Sequence, residues 1–120
     1  MEKILALFLI SILSSFKVMA GNGFVKGTVE YIRVHDTQNL NWKPPIFWLT
    51  LNGVTSAGQC KTWAGNVLFV MDSEAALSLA LSAYMSGKEV AIRYDDEKLN
   101  SENHWCKAQY ITLGEPAPLH

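Results

Sequence analysis

The chain has 120 residues, and its 10 lysines and arginines against 11 aspartates and glutamates leave a formal charge of −1. A chain of this length suits one domain. A nearly neutral chain lacks the basic surface that a nucleic-acid-binding protein needs to neutralise phosphates, so nucleic acid is not an expected partner.

The N-terminus has the organisation of a secretory signal peptide. Met1-Glu2-Lys3 precedes an apolar run at residues 4–13, and Val18-Met19-Ala20 ends in a small residue that suits cleavage. The apolar run is about ten residues long, whereas a membrane-spanning helix needs about twenty. We therefore expect residues 1–20 to be removed and residues 21–120 to form one secreted or periplasmic domain without a membrane span.

Three strands are predicted in the first half of the chain from β-branched residues, alternation and turns. Asn52-Gly53 is a strong hairpin-turn signal between the second and third strands. A short apolar run at residues 67–71 then leads to a helix. The predicted strands are residues 24–34, 46–51 and 55–63. In the first of them, one side is expected to carry Val25, Gly27, Val29, Tyr31 and Arg33.

A helix is predicted to follow Asp72, which suits the N-cap position. Glu74 places a negative charge in the first turn, and Gly87 suits the left-handed residue that ends a helix. At about 100° per residue, four side chains form the stripe expected to face the core: Leu77, Ala80, Leu81 and Tyr84.

The opposite side of this helix carries no charge between Glu74 and Lys88. Solvated helix faces usually carry several charged side chains, so two interpretations stay open: a short face that tolerates exposure, or a face covered by another subunit. The residues of the predicted oligomer interface are Ser78, Leu79, Ser82 and Ser86.

The last third of the chain predicts two further strands. Val90, Ile92 and Tyr94 occupy every second position, the period of a strand with one buried face. Residues 95–103 are predicted to form a charged, solvated loop, because their adjacent acids lack the alternating oxygen ligands of a calcium site. Residues 104–113 complete the sheet, and no metal or cofactor is expected.

The order strand, strand, strand, helix, strand, strand predicts an all-β fold with one helix. It is the order of the OB-fold, a five-stranded Greek-key barrel with the helix between strands 3 and 4, known for binding oligosaccharides and oligonucleotides. Cys60 and Cys106 are the only cysteines, and an exported chain favours a disulfide between them. The bond would join neighbouring third and fifth strands and contribute about 4 kcal/mol in the chain-entropy model.

Aromatic residues are the strongest indication of a ligand, because four tryptophans occur in the exported part. Trp42 lies in the polar loop at residues 35–45, where it either stacks on a ligand or covers the core. Trp48 and Trp105 follow strand patterns, which favours the barrel interior for both. Exposed tryptophans beside polar groups would suit glycan binding.

Catalytic patterns are sparse. No nucleophile motif is present, and His35 and His104 lie at predicted strand or loop edges, where solvated histidines are common. We therefore expect a protein that is not an enzyme.

The chain resembles the B subunit of subtilase cytotoxin and related pertussis-like B subunits. The resemblance covers most of residues 21–120 and rests on short matches in order along the chain, of which the turn is the only compact motif. These are Gly23-Phe24 with Gly27, the turn Gly53-Val54-Thr55-Ser56-Ala57-Gly58, the alanine-rich helix, Gly87 before Val90-Ala91-Ile92-Arg93-Tyr94, and Lys107-Ala108.

The resemblance implies a ring of five OB-fold subunits with helices around a central pore, glycans bound at the periphery, and a catalytic A subunit as partner. The family holds sialylated glycans through a tyrosine, a serine and an acidic residue. The tyrosine position is Tyr94, the serine position is Lys26, and the acidic position is near Asn22. Only the tyrosine is retained, and Leu49 stands near the family's second-strand cysteine.

The sequence thus supports two hypotheses. The first is a secreted, non-enzymatic subunit that binds an oligosaccharide through Tyr94, Lys26, Asn22 and Trp42, in the manner of the receptor-binding subunit of an AB5-type toxin. The alternative is a periplasmic OB-fold module that binds a protein or peptide, as an inhibitor or adaptor does.

Overall fold

A computed structural model describes residues 22–114. The predicted signal peptide, residues 1–20, lies outside the described residues. The described part contains six strands and one helix: β1 (Asn22–Val34), β2 (Phe47–Leu51), β3 (Thr62–Trp63), β4 (Asn66–Met71), α1 (Glu74–Ser86), β5 (Glu89–Leu99) and β6 (Cys106–Leu113).

Five of the strands close into a barrel. β1 pairs with β2 and β5, β5 pairs with β6, and β2 pairs with β4, all antiparallel. A parallel pairing between β4 and β6 completes the ring. A closed five-stranded barrel with one helix is an OB-fold-like architecture, so the predicted fold class is confirmed.

The third barrel strand lies later in the chain than predicted. Residues 52–61, which include most of the strand predicted at 55–63, form a loop that buries every third residue, Val54, Ala57 and Cys60, rather than every second residue. Only its last two residues form the short strand β3. The barrel strand is β4, the apolar run that was expected to be a connection. Because the short strand β3 is an additional strand before it, α1 lies between the fourth and fifth strands of the chain rather than between the third and fourth.

A densely apolar cluster fills the barrel, and we call it the interior cluster. It draws on all five barrel strands and on α1, which packs mainly against β1 and β6. Burying such side chains contributes about 1.5–3 kcal/mol each. Its largest fully buried members are Phe47, Phe69, Leu49, Leu51, Ile92, Val67 and Val90.

A serine caps the N-terminus of α1, and a glycine ends the helix. The N-cap is Ser73 rather than Asp72, and its hydroxyl accepts a hydrogen bond of 3.0 Å from the amide of Ala76. Gly87 ends the helix with φ at 69°, the left-handed conformation that the sequence predicted.

The buried side of α1 is lined by small residues. Ala76, Ala80 and Ala83 are buried, while Leu81 and Tyr84, which were predicted to face the core, are exposed. Alanines let a helix lie close to the sheet, and Leu77 and Leu79 pack partly buried beside them, against the interior cluster. The predicted core stripe was thus wrong for Leu81 and Tyr84, while Ala80 is buried and Leu77 is partly buried.

A bulge in β1 reverses the alternation of its side chains. The register with β2 shifts between Val29 and Tyr31, which leaves Glu30 as the extra residue. Val29 is buried in the interior cluster, whereas Arg33 lies opposite Trp48 on the outside of the barrel. Val25, Gly27, Val29, Tyr31 and Arg33 were predicted to share one side of this strand. That prediction was wrong, because the bulge turns Tyr31 and Arg33 to the other side.

β5 is longer than predicted and includes acids that were assigned to a solvated loop. Asp95 and Asp96 are both buried. Asp95 accepts a hydrogen bond from the amide of Glu97 at 3.0 Å, and Asp96 accepts one from the amide of Gln59 at 2.7 Å. Backbone donors satisfy these carboxylates, so each can be withdrawn from water.

The predicted disulfide between Cys60 and Cys106 is present, with the two Cα atoms 5.6 Å apart. It joins the loop before β3 to the first residue of β6, instead of two barrel strands, because Cys60 lies outside the regular sheet. Both cysteines belong to the interior cluster.

Candidate ligand-binding face

The four tryptophans converge on one outer surface of the barrel. Trp48 points outward from β2, since its neighbours Phe47 and Leu49 belong to the interior cluster. It forms an outer cluster with Leu68 and Val70 of β4, against which Trp42, Ile46 and Trp105 pack. The ring centroid of Trp63 lies 4.9 Å from that of Trp48. We call the surface formed by Trp42, Trp48, Trp63 and Trp105 the aromatic face.

This placement corrects the prediction made for two of the tryptophans. Trp48 and Trp105 were expected to fill the barrel, but both lie in the outer cluster. Trp48 is only 3% exposed there, while Trp63 is 37% exposed. Trp48 therefore acts as the floor of the face, and Trp63 presents ring surface to solvent.

Cationic side chains lie over these rings. The guanidinium carbon of Arg33 is 4.9 Å from the ring centroid of Trp48 and 5.3 Å from that of Trp63. The ammonium of Lys61 is 4.6 Å from the ring centroid of Trp105. Each contact has cation–π geometry, which contributes about 0.5–1 kcal/mol at an exposed position.

The disulfide holds one of these pairs in place. Lys61 follows Cys60 in the chain, and Trp105 precedes Cys106, so the covalent bond brings the cation and the ring together. The carbonyl of Lys61 also accepts a hydrogen bond of 3.2 Å from the amide of Leu68. The loop that carries Lys61 is therefore anchored both to β6 and to β4.

The loop between β1 and β2, residues 35–46, covers the other side of the face, and we call it the strap. The side chain of Asn39 accepts hydrogen bonds from the amides of Asn41 and Trp42, at 3.0 and 3.1 Å. The side chain of Asn103, from the loop between β5 and β6, donates to the carbonyl of Asn41 at 3.2 Å. Loops in these two places flank the ligand-binding face of OB-folds.

His35, the first residue of the strap, lies at the edge of the aromatic face. Its ring stacks on Trp42 with the centroids 5.2 Å apart and the planes 18° from parallel. Its Nδ1 is buried and has no hydrogen-bond partner among residues 22–114. Burial, and secondarily the positive charge of Arg33, lower the pKa of His35, so the neutral ring is favoured in this position.

A carboxylate at the β1 bulge is held by its own neighbours. One oxygen of Glu30 accepts hydrogen bonds from the hydroxyl of Thr50 at 3.0 Å and from the amide group of Asn66 at 2.9 Å. Thr50 is fully buried, so this bond satisfies a hydroxyl that water cannot reach. Glu30 thus ties β1 to β2 and β4 beside the aromatic face.

A polar cleft opens beside Lys61. It has a volume of about 330 Å³ and is lined by Gln59, Lys61, Asp96, Leu99, His104 and Cys106. Donors and acceptors here adjoin the Lys61–Trp105 pair, an arrangement that fits a hydroxylated ligand lying partly on a ring.

Tyr94, the tyrosine of the resemblance, faces inward. Its ring packs against the interior cluster, 5.9 Å from Phe69 between centroids. A Cβ on Gly23 would lie 2.5 Å from the Tyr94 hydroxyl oxygen, so glycine is needed for this close approach. Burial, and secondarily the charge of Asp96, raise the pKa of Tyr94.

The other residues of the predicted glycan site are dispersed. Lys26 is exposed on β1 opposite Ala91, on the side of the sheet away from Tyr94. Asn22 begins β1 opposite Asp95. Of the four predicted ligand-binding residues, only Trp42 belongs to the aromatic face.

The predicted oligomer interface is divided in the same way. Ser78, Ser82 and Ser86 are exposed, while Leu79 is partly buried against the interior cluster. The exposed apolar residues of α1 are Leu81, Tyr84 and Met85.

Sequence reasoning missed Arg33, Lys61 and the outward direction of Trp48. The number of tryptophans was the available indication, but the direction of Arg33 depends on the β1 bulge, and the meeting of Lys61 with Trp105 depends on the disulfide. Within residues 22–114, no group of three His, Cys, Asp or Glu side chains is placed to hold a metal ion. No helix in that range is long and apolar enough to cross a membrane.

Comparisons with protein-family models, with curated proteins and with solved structures found no match.

Proposed function

We propose that this protein is a secreted, non-enzymatic subunit that binds an oligosaccharide on the aromatic face. The observation that carries the proposal is the convergence of four tryptophans on the outside of β2 and β4, between two loops joined by the Asn103–Asn41 hydrogen bond. OB-folds bind oligosaccharides and oligonucleotides on the outer face of the second and third barrel strands, which are β2 and β4 here. The formal charge of −1 favours the sugar over the nucleic acid.

The resemblance to toxin B subunits extends this proposal. It suggests the receptor-binding subunit of an AB5-type assembly, with sialylated glycans among the candidate ligands, a homopentameric ring and a catalytic A subunit. The predicted signal peptide is the basis for secretion or a periplasmic location. We place the sugar on the aromatic face rather than at Tyr94, because Tyr94 packs inward and Lys26 lies on the other side of the sheet.

A glycan array tests the proposal directly. The purified secreted protein should bind a restricted set of glycans, and the double variant Trp42→Ala/Trp63→Ala should lose that binding while Tyr84→Ala, an exposed aromatic change on α1, retains it. A protein that binds no glycan and runs as a monomer in light scattering would refute the proposal. Binding that survives the double variant but is lost in Tyr94→Phe would move the site to the position implied by the resemblance.

The ring has its own test. Ser82 is exposed on α1, and Ser82→Glu would bring like charges together if helices from several subunits line a pore. We expect light scattering to show a smaller assembly for this variant. Ser56→Glu, in an exposed part of the loop before β3, should leave the assembly unchanged. An unaltered assembly for Ser82→Glu would contradict the pore arrangement.

A second candidate function is protein or peptide binding, as by an inhibitor or adaptor. It is favoured by the exposed Leu81, Tyr84 and Met85 and by a groove of about 270 Å³ between α1 and β1, lined by Leu81, Tyr84, Glu30, Tyr31 and Ile32. Exposed apolar surface of this kind is common at protein interfaces. This function predicts binding that Tyr84→Ala weakens and that the double tryptophan variant retains.

A further inference from the structure

The aromatic face is already covered by side chains of its own chain. Arg33 lies over Trp48 and Trp63, and Lys61 lies over Trp105. A sugar that stacks on Trp48, Trp63 or Trp105 has to take the place of the cation that now lies over that indole ring. Binding therefore includes the displacement of Arg33, of Lys61 or of both.

Neither cation has a carboxylate partner among residues 22–114, where Lys107–Asp72 is the one ion pair. Glu30, on the same strand as Arg33, uses an oxygen to accept from Thr50 and Asn66. Arg33 and Lys61 are both exposed. The face thus carries two positive charges whose interactions are with rings rather than with anions.

An anionic group on the ligand makes it easier for Arg33 to leave the tryptophan rings. Guanidinium binds a carboxylate or sulfate through two parallel hydrogen bonds, which are stronger than a contact with a ring at the surface. An anion beside the face therefore draws Arg33 away from Trp48 and Trp63 and frees ring surface for the sugar to which it is attached. A neutral sugar displaces the same cation without this compensation.

We infer that the ligand of the aromatic face is an oligosaccharide bearing a carboxylate or sulfate, and that Arg33 is the residue that selects the anionic group. Lys61 supplies a second, less directional positive charge at the edge of the polar cleft. The inference rests on the proposed function, since it names the class of glycan at that same site.

The test uses protein expressed from the full chain and matched pairs of glycans. The pairs are lactose against 3′-sulfolactose and 3′-sialyllactose, and cellotetraose against its glucuronic acid counterpart. A decamer of thymidine serves as a polyanion without sugar selectivity. Binding is measured for wild type, Arg33→Gln, Arg33→Lys, Lys61→Gln, Lys26→Gln and the control Lys88→Gln, an exposed lysine next to Gly87.

For at least one pair we expect the acidic member to bind about tenfold more tightly than the neutral one, and the preference to shrink as salt rises. Arg33→Gln should remove most of this preference, Arg33→Lys should restore part of it, and Lys61→Gln should reduce it less. Lys88→Gln should match wild type. Sulfated and carboxylated members separate the two sources of negative charge.

The outcomes distinguish this inference from the proposed function. Equal binding of acidic and neutral partners, or an acidic preference that Arg33→Gln retains, overturns the inference and leaves glycan binding standing. Loss of the preference in Lys26→Gln instead of Arg33→Gln assigns the anion to the other side of the sheet and also overturns it. Binding of the thymidine decamer alone, or of no probe here and no glycan on the array, overturns both.

Discussion

The interior cluster and the aromatic face are two hydrophobic assemblies on opposite sides of the same strands, and they differ in how completely they are shielded. Phe47, Leu49 and Phe69 are fully buried within the barrel. On the outside, Trp48 is buried but Trp63 keeps 37% of its surface exposed, and cations lie over the rings. One assembly is built to exclude water, and the other leaves rings within reach of a ligand.

The disulfide connects the two assemblies. Cys60 and Cys106 belong to the interior cluster, while Lys61 and Trp105, their immediate neighbours in the chain, meet at the outer surface. A bond that stabilises the barrel therefore also fixes one pair of the aromatic face. Most substitutions should lower either the stability or the ligand binding, whereas removal of the disulfide should lower both.

The largest effect on stability is expected from the interior. Phe69→Ala removes a fully buried ring and should lower the free energy of unfolding by about 3–5 kcal/mol, because it loses burial and leaves a cavity. Urea titration followed by far-UV circular dichroism measures the change. Trp63→Ala, at an exposed ring, is the control and should cost about 1 kcal/mol. Similar losses for both would contradict the distinction between the two assemblies.

Removal of the disulfide should come next. Cys60 and Cys106 are 46 residues apart in the chain, and Cys60→Ser/Cys106→Ser should lower the free energy of unfolding by about 2–4 kcal/mol, because the unfolded chain gains freedom. Glycan binding should weaken under conditions where the variant is still folded, since Lys61 and Trp105 lose their covalent link. Wild type in reductant should behave in the same way, and unaltered binding would show that this pair is outside the site.

Trp63→Ala should separate binding from stability. With an exposed ring next to Trp48 and beneath Arg33, the substitution should weaken glycan binding about tenfold, because exposed aromatic anchors commonly contribute most to recognition. Isothermal titration calorimetry on folded protein measures the loss. Tyr31→Ala is a matched test, since Tyr31 contacts Trp63 edge-on at 5.7 Å. Tyr31→Ala should weaken binding less than Trp63→Ala does. A larger loss for Tyr31→Ala would place the centre of the site nearer to α1.

Much of the barrel could be predicted from the sequence because local chemistry dictates it. Gly87 ends the helix, alternation identifies the strand around Val90, and the two cysteines pair. The third strand could not be placed, because the run in β4 is buried on both faces and has no period of two. The loop at Val54, Ala57 and Cys60 has a period of three that only tertiary packing reveals.

The site was less predictable because it depends on distant contacts. The β1 bulge sends Tyr31 and Arg33 outward, and nothing in the local alternation marks that reversal. Trp105 meets Lys61 only because the disulfide joins two loops. Residue types were therefore informative about the kind of ligand, whereas its position required the register of the strands.

The smallest predicted effect concerns His35, at the edge of the aromatic face. Its ring stacks on Trp42 of the strap, and Arg33 is the charged group that acts on it. Burial and that charge lower the pKa of His35 in the folded state. Below about pH 6.5 the unfolded chain therefore binds more protons than the folded one, and stability falls as the pH falls.

We expect His35→Gln to lose less stability than wild type between about pH 7 and about pH 5.5, as measured by urea titration at each pH. His104→Gln replaces an exposed histidine on the loop that contacts the strap, and it should follow wild type. If His35→Gln and wild type lose stability in parallel, the proton is taken up elsewhere. If His35→Gln alone loses less stability, His35 is the group whose protonation destabilises the wild-type fold as the pH falls.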